Sequence, residues 1–519
     1  MALRMYLLGL MAALGVVNAA QTYSLVFDAG SSGTRLQIFK ITREAGKPDK
    51  FEQFTPADEK DEEKLSVEPG LSGHVLAGNT AFVRRDLANL LAEAARYVPK
   101  DLQASTPVRL GATAGLRLLK IEQQNDVIAA ATAALEDKSI NPFKSFGAFI
   151  MSGEEEALFG WLAVNYFLGK FNKHDPAGTV GALDLGGAST QIAYFSPGQI
   201  LEGQTQATVN GNAYRIYGTS FLKFGANEFG VQIFKLIKSK NTKPSTKDAP
   251  YDNPCQVASM VEENDQGFFK GTGDFDGCSK LVDEILNVDN QPCVFTDGIG
   301  RCSILSKYLA PMAKNFYGFS AYFFAANGIG LLGWNDAKKL SPNDFKTAGK
   351  TFCSTKRTKF DNPYQHMYCR QSAYIFSLLS KGYGFKPDDR ESITFARKIN
   401  GFSASWALGL AMSYNPSSAL AKVTAAPKPA GPSKKWIRAE TKAICDTSAG
   451  EVYIKGSPGK LMNAQECQKA CEDYPQCKSI TFFKSGWCSL FSTACTKTRR
   501  AGKVEASYVS VADRLLRRG

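Results

Sequence analysis

Histidine is nearly missing from this chain. His74, His174 and His366 are the only three in 519 residues. They stand in unrelated contexts, so no Ser-His-Asp or Cys-His set presents itself. No G-x-x-x-x-G-K-[ST] loop occurs, which excludes a phosphate site of the P-loop kind. The extended dinucleotide-binding glycine fingerprint is missing too. Cysteine is absent from the first 250 residues, and no C-x-x-C pair exists anywhere. With so few histidines, zinc would find few ligands. Beyond the N-terminus no run of about 18 uncharged apolar residues reads as a membrane span. N-x-[ST] sequons are also lacking, so N-glycosylation is not expected.

The cysteines that are present form two even sets. One comprises Cys255, Cys278, Cys293, Cys302, Cys353 and Cys369; the other comprises Cys445, Cys467, Cys471, Cys477, Cys488 and Cys495. Two sets suggest two disulfide frameworks made in an oxidising compartment. Residues 1–20 agree, because they read as a signal peptide. Arg4 supplies the positive start, Met5 to Val17 is apolar, and Ala19 and Ala20 make a cleavage site. The apolar run is short for a span, so the mature chain is expected to be exported and to start near Ala20 or Gln21. The length implies two to four compact units, and 44% hydrophobic residues argue against general disorder. The net charge of +13 could draw in polyanions. The charges form no single dense block, however, and a solvated basic surface is the plain alternative.

Residues 421–435 read AKVTAAPKPAGPSKK and are expected to be an extended, semi-rigid linker. It separates a long body from a short tail module holding the whole second cysteine set. Bridges would compensate such a module for its small core. The body alternates strand-like and helix-like segments, which favours α/β. It also contains an internal echo. Residues 25–39 read LVFDAGSSGTRLQIF and residues 182–195 read ALDLGGASTQIAYF. Registered on the aspartate, Asp28 matches Asp184, Gly30 matches Gly186, and Thr34 matches Thr190. Each copy is a strand, a tight Gly/Ser/Thr turn and a second strand. Two such hairpins suggest two similar halves facing one cleft.

The loops suit phosphate. Glycine lets backbone N–H groups approach a ligand closely, and Ser31, Ser32, Thr34 and Ser189 add hydroxyl donors. Asp28 and Asp184 each close a strand, where a carboxylate can hold a hydrated divalent cation. A single copy would be ordinary turn chemistry; two in register favour a function. Residues 111–117 read GATAGLR and place Thr113, Ala114 and Gly115 at the start of a helix, which suits an anion or a metal-bound water. A simple cap is the bland reading. Residues 152–156 read SGEEE after an apolar strand. Ser152 with Glu155 fits a capping box, and all three glutamates could complement the helix dipole. The sharper reading makes one of them a general base for an attacking water. Spacing does not choose among Glu154, Glu155 and Glu156.

These segments, in this order, resemble the first four conserved segments of the apyrases, the nucleoside triphosphate diphosphohydrolases. SWALG at 405–409 resembles a fifth, and FYGFSAYFF at 316–324 is also similar to that family. The resemblance covers roughly residues 22–415. It implies an actin-like (ribonuclease H-like) two-lobe fold with a nucleotide cleft. Lobe I would be residues 21–150, completed by about 395–420, and lobe II residues 151–394. It implies direct attack of water on the terminal phosphate of ATP or ADP, with no phosphoenzyme. Glu156 takes the place of the family's catalytic base. Ca2+ or Mg2+ would be held through water by Asp28, Thr113, Glu156, Asp184, Ser189 and Gln191. Phosphate contacts would come from Ser31, Ser32, Gly33, Thr34, Ala114, Gly186, Gly187, Ala188 and Ser189. Gly33 stands where some animal members carry His, which leaves the ATP-to-ADP ratio open. Phe324 is the candidate to stack on the base; a core aromatic is its plain alternative.

Residues 436–510 resemble a PAN/apple domain, a small disulfide-rich α+β module that binds proteins or carbohydrates. That family implies Cys471–Cys477, Cys467–Cys488 and Cys445–Cys495. Residues 511–519 read as a basic, frayed end. The whole is expected to be a secreted, extracellular apyrase with no integral anchor after cleavage and no nucleic-acid partner. The contrasting readings are a catalytically inert secreted nucleotide- or glycan-binding protein and a polyphosphate phosphatase of the same fold class.

Overall fold

Two hairpins with the same register organise the body. In this computed structural model the described residues are 20–413, except 46, 55, 57–62, 77–78, 289–299, 358 and 361. Beyond them strands are described at 421–424, 436–441, 443–445, 453–455, 479–483, 488–491, 498–500 and 504–510. The first hairpin joins β1 (Ala20–Ala29) to β2 (Thr34–Arg43), with Asp28 opposite Arg35 and Ala29 opposite Thr34. The strands β3 (Lys50–Phe54), β4 (Ser66–Val67), β5 (Pro107–Ala112) and β6 (Lys144–Ile150) complete the first sheet. Its order is β3-β2-β1-β5-β6, with β4 also on β2, and β5 runs parallel to β1.

The second hairpin joins β7 (Gly181–Leu185) to β8 (Ser189–Phe195), with Asp184 opposite Gln191 and Leu185 opposite Thr190. The two aspartates therefore hold equivalent places in equivalent hairpins. The second sheet adds β9 (Gln204–Val209), β10 (Asn212–Leu222), β11 (Phe316–Ser320), β12 (Ala337–Lys339), β13 (Ile393–Ala396) and β14 (Ala421–Thr424). Its order is β12-β13-β11-β7-β8-β10-β9-β14, with β11 parallel to β7 as β5 is to β1. The result is an α/β domain with mixed sheets. The expected linker needs one correction. Ala421–Thr424 pairs antiparallel with β9, because Val423 and Thr424 favour extended backbone and the edge of β9 is open to pairing.

The helices used below are α1 (Leu71–Leu76), α2 (Ala114–Arg117), α3 (Gly153–Phe167), α4 (Ala226–Ser239), α5 (Ala321–Gly328), α6 (Pro342–Ser354), α7 (Tyr368–Ser377) and α8 (Ala407–Ser413). Helix α3 is apolar on most of its faces. Trp161, Leu162 and Phe159 are wholly buried and share one core with Phe39 and Ile41 of the first sheet and Ala193 and Tyr214 of the second. Both sheets thus share one core, in which α3 lies on the second sheet and α8 lies between α3 and β1 and β2. Two disulfides are described in the body, Cys255–Cys278 and Cys353–Cys369, the latter joining α6 to α7.

The chain divides into two compact units, Met1–Ala425 and Ala426–Gly519. In the second, five antiparallel strands follow the order Trp436–Thr441, Val504–Ser510, Ser479–Phe483, Cys488–Phe491, Tyr453–Lys455. A separate pair joins Ala443–Cys445 to Thr498–Arg500. The side chains of Cys445, Cys467, Cys471, Cys477, Cys488 and Cys495 lie outside the described residues, as do residues 1–19 and 511–519.

Candidate active site

Each hairpin loop closes in the same way. Gly30 N–H donates to Gly33 O at 2.9 Å, and Gly186 N–H donates to Ser189 O at 3.0 Å. The two loops also meet. A Cβ built on Gly187 would come within 2.5 Å of Ser31 Oγ, so glycine lets the two loops approach without displacing that hydroxyl. The third segment closes on the same serine, since a Cβ at Gly115 would lie 2.7 Å from Ser31 Cα. Thr113 stands at the N-cap position of α2, without a side-chain capping bond, and donates its N–H to Ala29 O at 3.1 Å, beside Asp28. The helical pattern after it breaks at residue 118 and resumes as Ile121–Glu136. Ser31, Ser32, Gly33, Ala114, Gly187, Ala188 and Ser189 are thereby gathered from three separate segments.

The three glutamates of α3 part company. Glu155 and Ser152 form the capping box, with the Ser152 N–H donating to Glu155 and the Glu155 N–H donating to Ser152 Oγ. Glu154 is exposed and stands 3.8 Å from Lys307 Nζ. Glu156 points inward and is only 7% exposed. Arg117, at the end of α2, donates from Nη2 to Glu156 Oε2 at 2.7 Å and to Ser189 Oγ at 3.2 Å. Its Nη1 donates to Met151 O at 3.1 Å. One guanidinium thus ties the third segment to the base of α3 and to the second hairpin. Gln191 continues the chain, donating from Nε2 to Ser189 Oγ at 2.5 Å and to Ser220 Oγ at 2.9 Å.

Three carboxylates share this small region. Burial raises Glu156 to about 8; Arg117 opposes the rise, and Asp184 adds to it. Burial raises Asp184 to about 7, against a hydrogen bond from Ser320 and with Asp28 adding to the rise. Burial raises Asp28 to about 6, against Arg35 and a hydrogen bond from Trp406. Buried negative charge without enough positive charge destabilises the ionised forms. Asp184 Oδ1 and Gln191 Oε1 are buried acceptors with no partner, and Thr34 Oγ1 is buried and unpartnered too. Such oxygen-only, under-satisfied sites fit a hard divalent cation. Among the described residues no three His, Cys, Asp or Glu side chains converge closely enough to ligate an ion directly. Water and substrate oxygens would therefore have to complete its shell.

Comparison with known proteins gives the family of the chain. Residues 16–427 match the GDA1/CD39 (nucleoside phosphatase) family, and residues 445–511 match the PAN domain. Mouse ectonucleoside triphosphate diphosphohydrolase 1 is 32% identical over 427 residues, covering 75% of this chain and 79% of its own. Chicken ectonucleoside triphosphate diphosphohydrolase 2 is 30% identical over 430 residues, covering 75% and 81%. A crystal structure of nucleoside triphosphate hydrolases from Neospora caninum superposes with a TM-score of 0.52 at 17% identity, covering 75% of this chain and 91% of that one. The chain belongs to the GDA1/CD39 (nucleoside phosphatase) family. It is a phosphoanhydride hydrolase with a separate PAN domain.

For a GDA1/CD39 member, three further residues stand out that sequence reasoning left without a role. Arg117 closes the GATAGLR segment and the short helix α2. Trp406 lies in the fifth segment, holds Asp28 and packs on β5, where a Cβ at Gly111 would come within 2.8 Å of its ring. Ser320 lies in the aromatic stretch and holds Asp184. A polar or indole side chain beside an apolar run was the available signal. Phe324 differs from its neighbours. Tyr322 and Phe323 are fully buried, whereas Phe324 is 42% exposed with its ring 5.9 Å from Trp334, itself 46% exposed. His74, on α1, pairs with Asp86 at 2.6 Å, both of them buried.

Among the described residues no helix is long and apolar enough to cross a membrane.

Proposed function

We propose that this chain is a secreted apyrase that removes the terminal phosphate from nucleoside tri- and diphosphates, ATP and ADP among them, outside the cell. The observation that carries the reading is that Asp28, Asp184 and Glu156, from two equivalent hairpins and the start of α3, lie buried within electrostatic reach of one another beside two Gly/Ser loops. Three buried carboxylates with one guanidinium, hydrogen-bonded to Glu156 alone among them, favour a cation, and the loop donors favour a phosphate chain.

In this reading Ser31, Ser32, Gly33, Thr34 and Ala114 hold phosphate oxygens from one side; Gly186, Gly187, Ala188 and Ser189 hold them from the other. The cleft lies between lobe I (21–150, completed by 395–420) and lobe II (151–394) of an actin-like fold. Asp28, Thr113, Glu156, Asp184, Ser189 and Gln191 would hold a hydrated Ca2+ or Mg2+ through water. Bound there, the ion would offset phosphate charge as it grows in the transition state. Glu156, when ionised, accepts a proton from the attacking water. The new P–O bond forms as the bridging P–O bond breaks, giving inorganic phosphate and the shortened nucleotide. Arg117 keeps the carboxylate of Glu156 aimed during the transfer. Phe324, with Trp334 beside it, offers an exposed ring face for the base. Residues 1–20 serve as the leader, and the PAN domain recruits a protein or carbohydrate.

The test is phosphate release from ATP and from ADP by the mature protein, with Ca2+, Mg2+ or EDTA, beside Glu156→Gln. Metal-dependent release from both nucleotides is expected. The variant should lose about 10² to 10⁴ in rate and still bind nucleotide. Release from neither nucleotide would overturn the reading and favour an inert binding protein.

A further inference from the structure

Behind Asp184 runs a buried hydroxyl relay that the hydrolytic reading does not use. Thr190, wholly buried on β8, donates from Oγ1 to the backbone carbonyl of Asp184 at 2.8 Å. A threonine hydroxyl has one proton, so its next contact must be a donor. That contact is Tyr383 Oη, 3.3 Å from Thr190 Oγ1. Tyr383 is wholly buried, and burial pushes its hydroxyl up, so it remains a donor through the working range.

The segment that delivers Tyr383 is unusual. Helix α7 does not end normally but passes into a π-helical turn, Leu378–Tyr383, which closes at Gly384 with φ 81°. A π turn widens the spacing of the helix and re-aims the residues after it; such turns recur near functional sites. Here the residue it re-aims reaches β8. Asp184 is braced a second time, from β11. Ser320, on β11, favours the ionised carboxyl of Asp184 by a hydrogen bond while sitting at φ 58°, a left-handed conformation that strains a non-glycine residue. Two strained or irregular segments therefore converge on one aspartate, one on its backbone and one on its side chain.

We propose that Tyr383 is a positioning residue that acts through Thr190 to fix the backbone of Asp184, and so aims its carboxylate at a divalent cation. This rests on the apyrase reading above. Tyr383→Phe removes the hydroxyl and keeps the ring; Thr190→Val removes the relay and keeps the shape; Thr190→Ser keeps the relay. Four quantities are read on the full chain. They are kcat and KM for ATP, Ca2+ affinity by calorimetry with a non-hydrolysable ATP analogue present, and the melting temperature. Residues that orient ligating groups typically contribute about 10- to 100-fold. Tyr383→Phe should weaken Ca2+ binding and lower kcat within that range, with KM for ATP little changed. Thr190→Ser should behave as wild type. The double variant Tyr383→Phe/Thr190→Val should be no worse than Thr190→Val alone. Unchanged Ca2+ affinity and kcat in Tyr383→Phe, with only a lower melting temperature, would overturn the proposal. So would losses that add in the double variant. An active wild type with an unaltered Tyr383→Phe sinks this inference alone; a wild type that neither hydrolyses nor binds Ca2+ sinks both readings.

Discussion

At the scale of single residues, three consecutive glutamates on one helical turn have three different surroundings. Sequence spacing could not separate them, because each suits a helix N-terminus equally. Burial separates them. Glu155 is held by the cap, Glu154 faces solvent, and Glu156 turns to Arg117. Glu154→Gln should therefore leave phosphate release near wild type. Glu155→Gln should do the same, because Gln still completes a capping box. Either variant losing rate as Glu156→Gln does would move the base. Arg117 was legible only as the end of a loop motif, since a basic residue closing a short helix is ordinary. Its contacts with Glu156, Ser189 and Met151 need a planar fork, which a lysine lacks. Arg117→Lys should thus keep the charge but lose about tenfold or more in kcat, the scale of a charge-assisted hydrogen bond or two. Steady-state kinetics on ATP would show it, and full activity would mean that charge alone suffices.

At the scale of elements, the hairpins were the most legible part of the chain. Their period-two apolar runs and Gly/Ser turns are local signals, and the shared register follows from them. The parallel pairing of β5 with β1 and of β11 with β7, and the strand at Ala421–Thr424, were not legible, because pairing across long separations depends on packing rather than on local pattern. Nor was the π turn, which leaves no distinct mark in sequence. Loop contact gives a graded prediction. An alanine at Gly187 would press on Ser31 Oγ at 2.5 Å, a side-chain atom that can rotate away. An alanine at Gly115 would press on Ser31 Cα at 2.7 Å, which moves only with the loop. Overpacking of this sort costs about 1 to 3 kcal/mol. Gly115→Ala should consequently impair kcat/KM for both nucleotides more than Gly187→Ala. The reverse order would show that Ser31 Oγ, not the loop backbone, is the critical contact.

At the scale of the whole molecule, the carboxylate cluster links folding, pH and metal. Asp28, Asp184 and Glu156 are raised to about 6, 7 and 8 from ordinary values of 3.8, 3.8 and 4.5. The folded chain therefore binds these protons more tightly than the unfolded chain does. Below the ordinary values both states are protonated and the contribution to stability is fully present. It is lost as pH rises through the folded values, so between about pH 4 and pH 8 this cluster lowers stability with rising pH. A divalent cation held among the ionised carboxylates would oppose that loss, and ligand binding to the folded state adds stability by mass action. Metal-free protein should accordingly melt lower at pH 8 than at pH 5. Ca2+ should raise the melting temperature more at pH 8, where the carboxylates are charged, than at pH 5. In Glu156→Gln the pH 8 penalty should shrink, because the most strongly raised group no longer ionises. Scanning fluorimetry of both proteins, with Ca2+ or EDTA at the two pH values, reads all of these terms. An equal Ca2+ shift at both pH values would place the cation elsewhere, since a site built from these three groups must release protons as the metal binds.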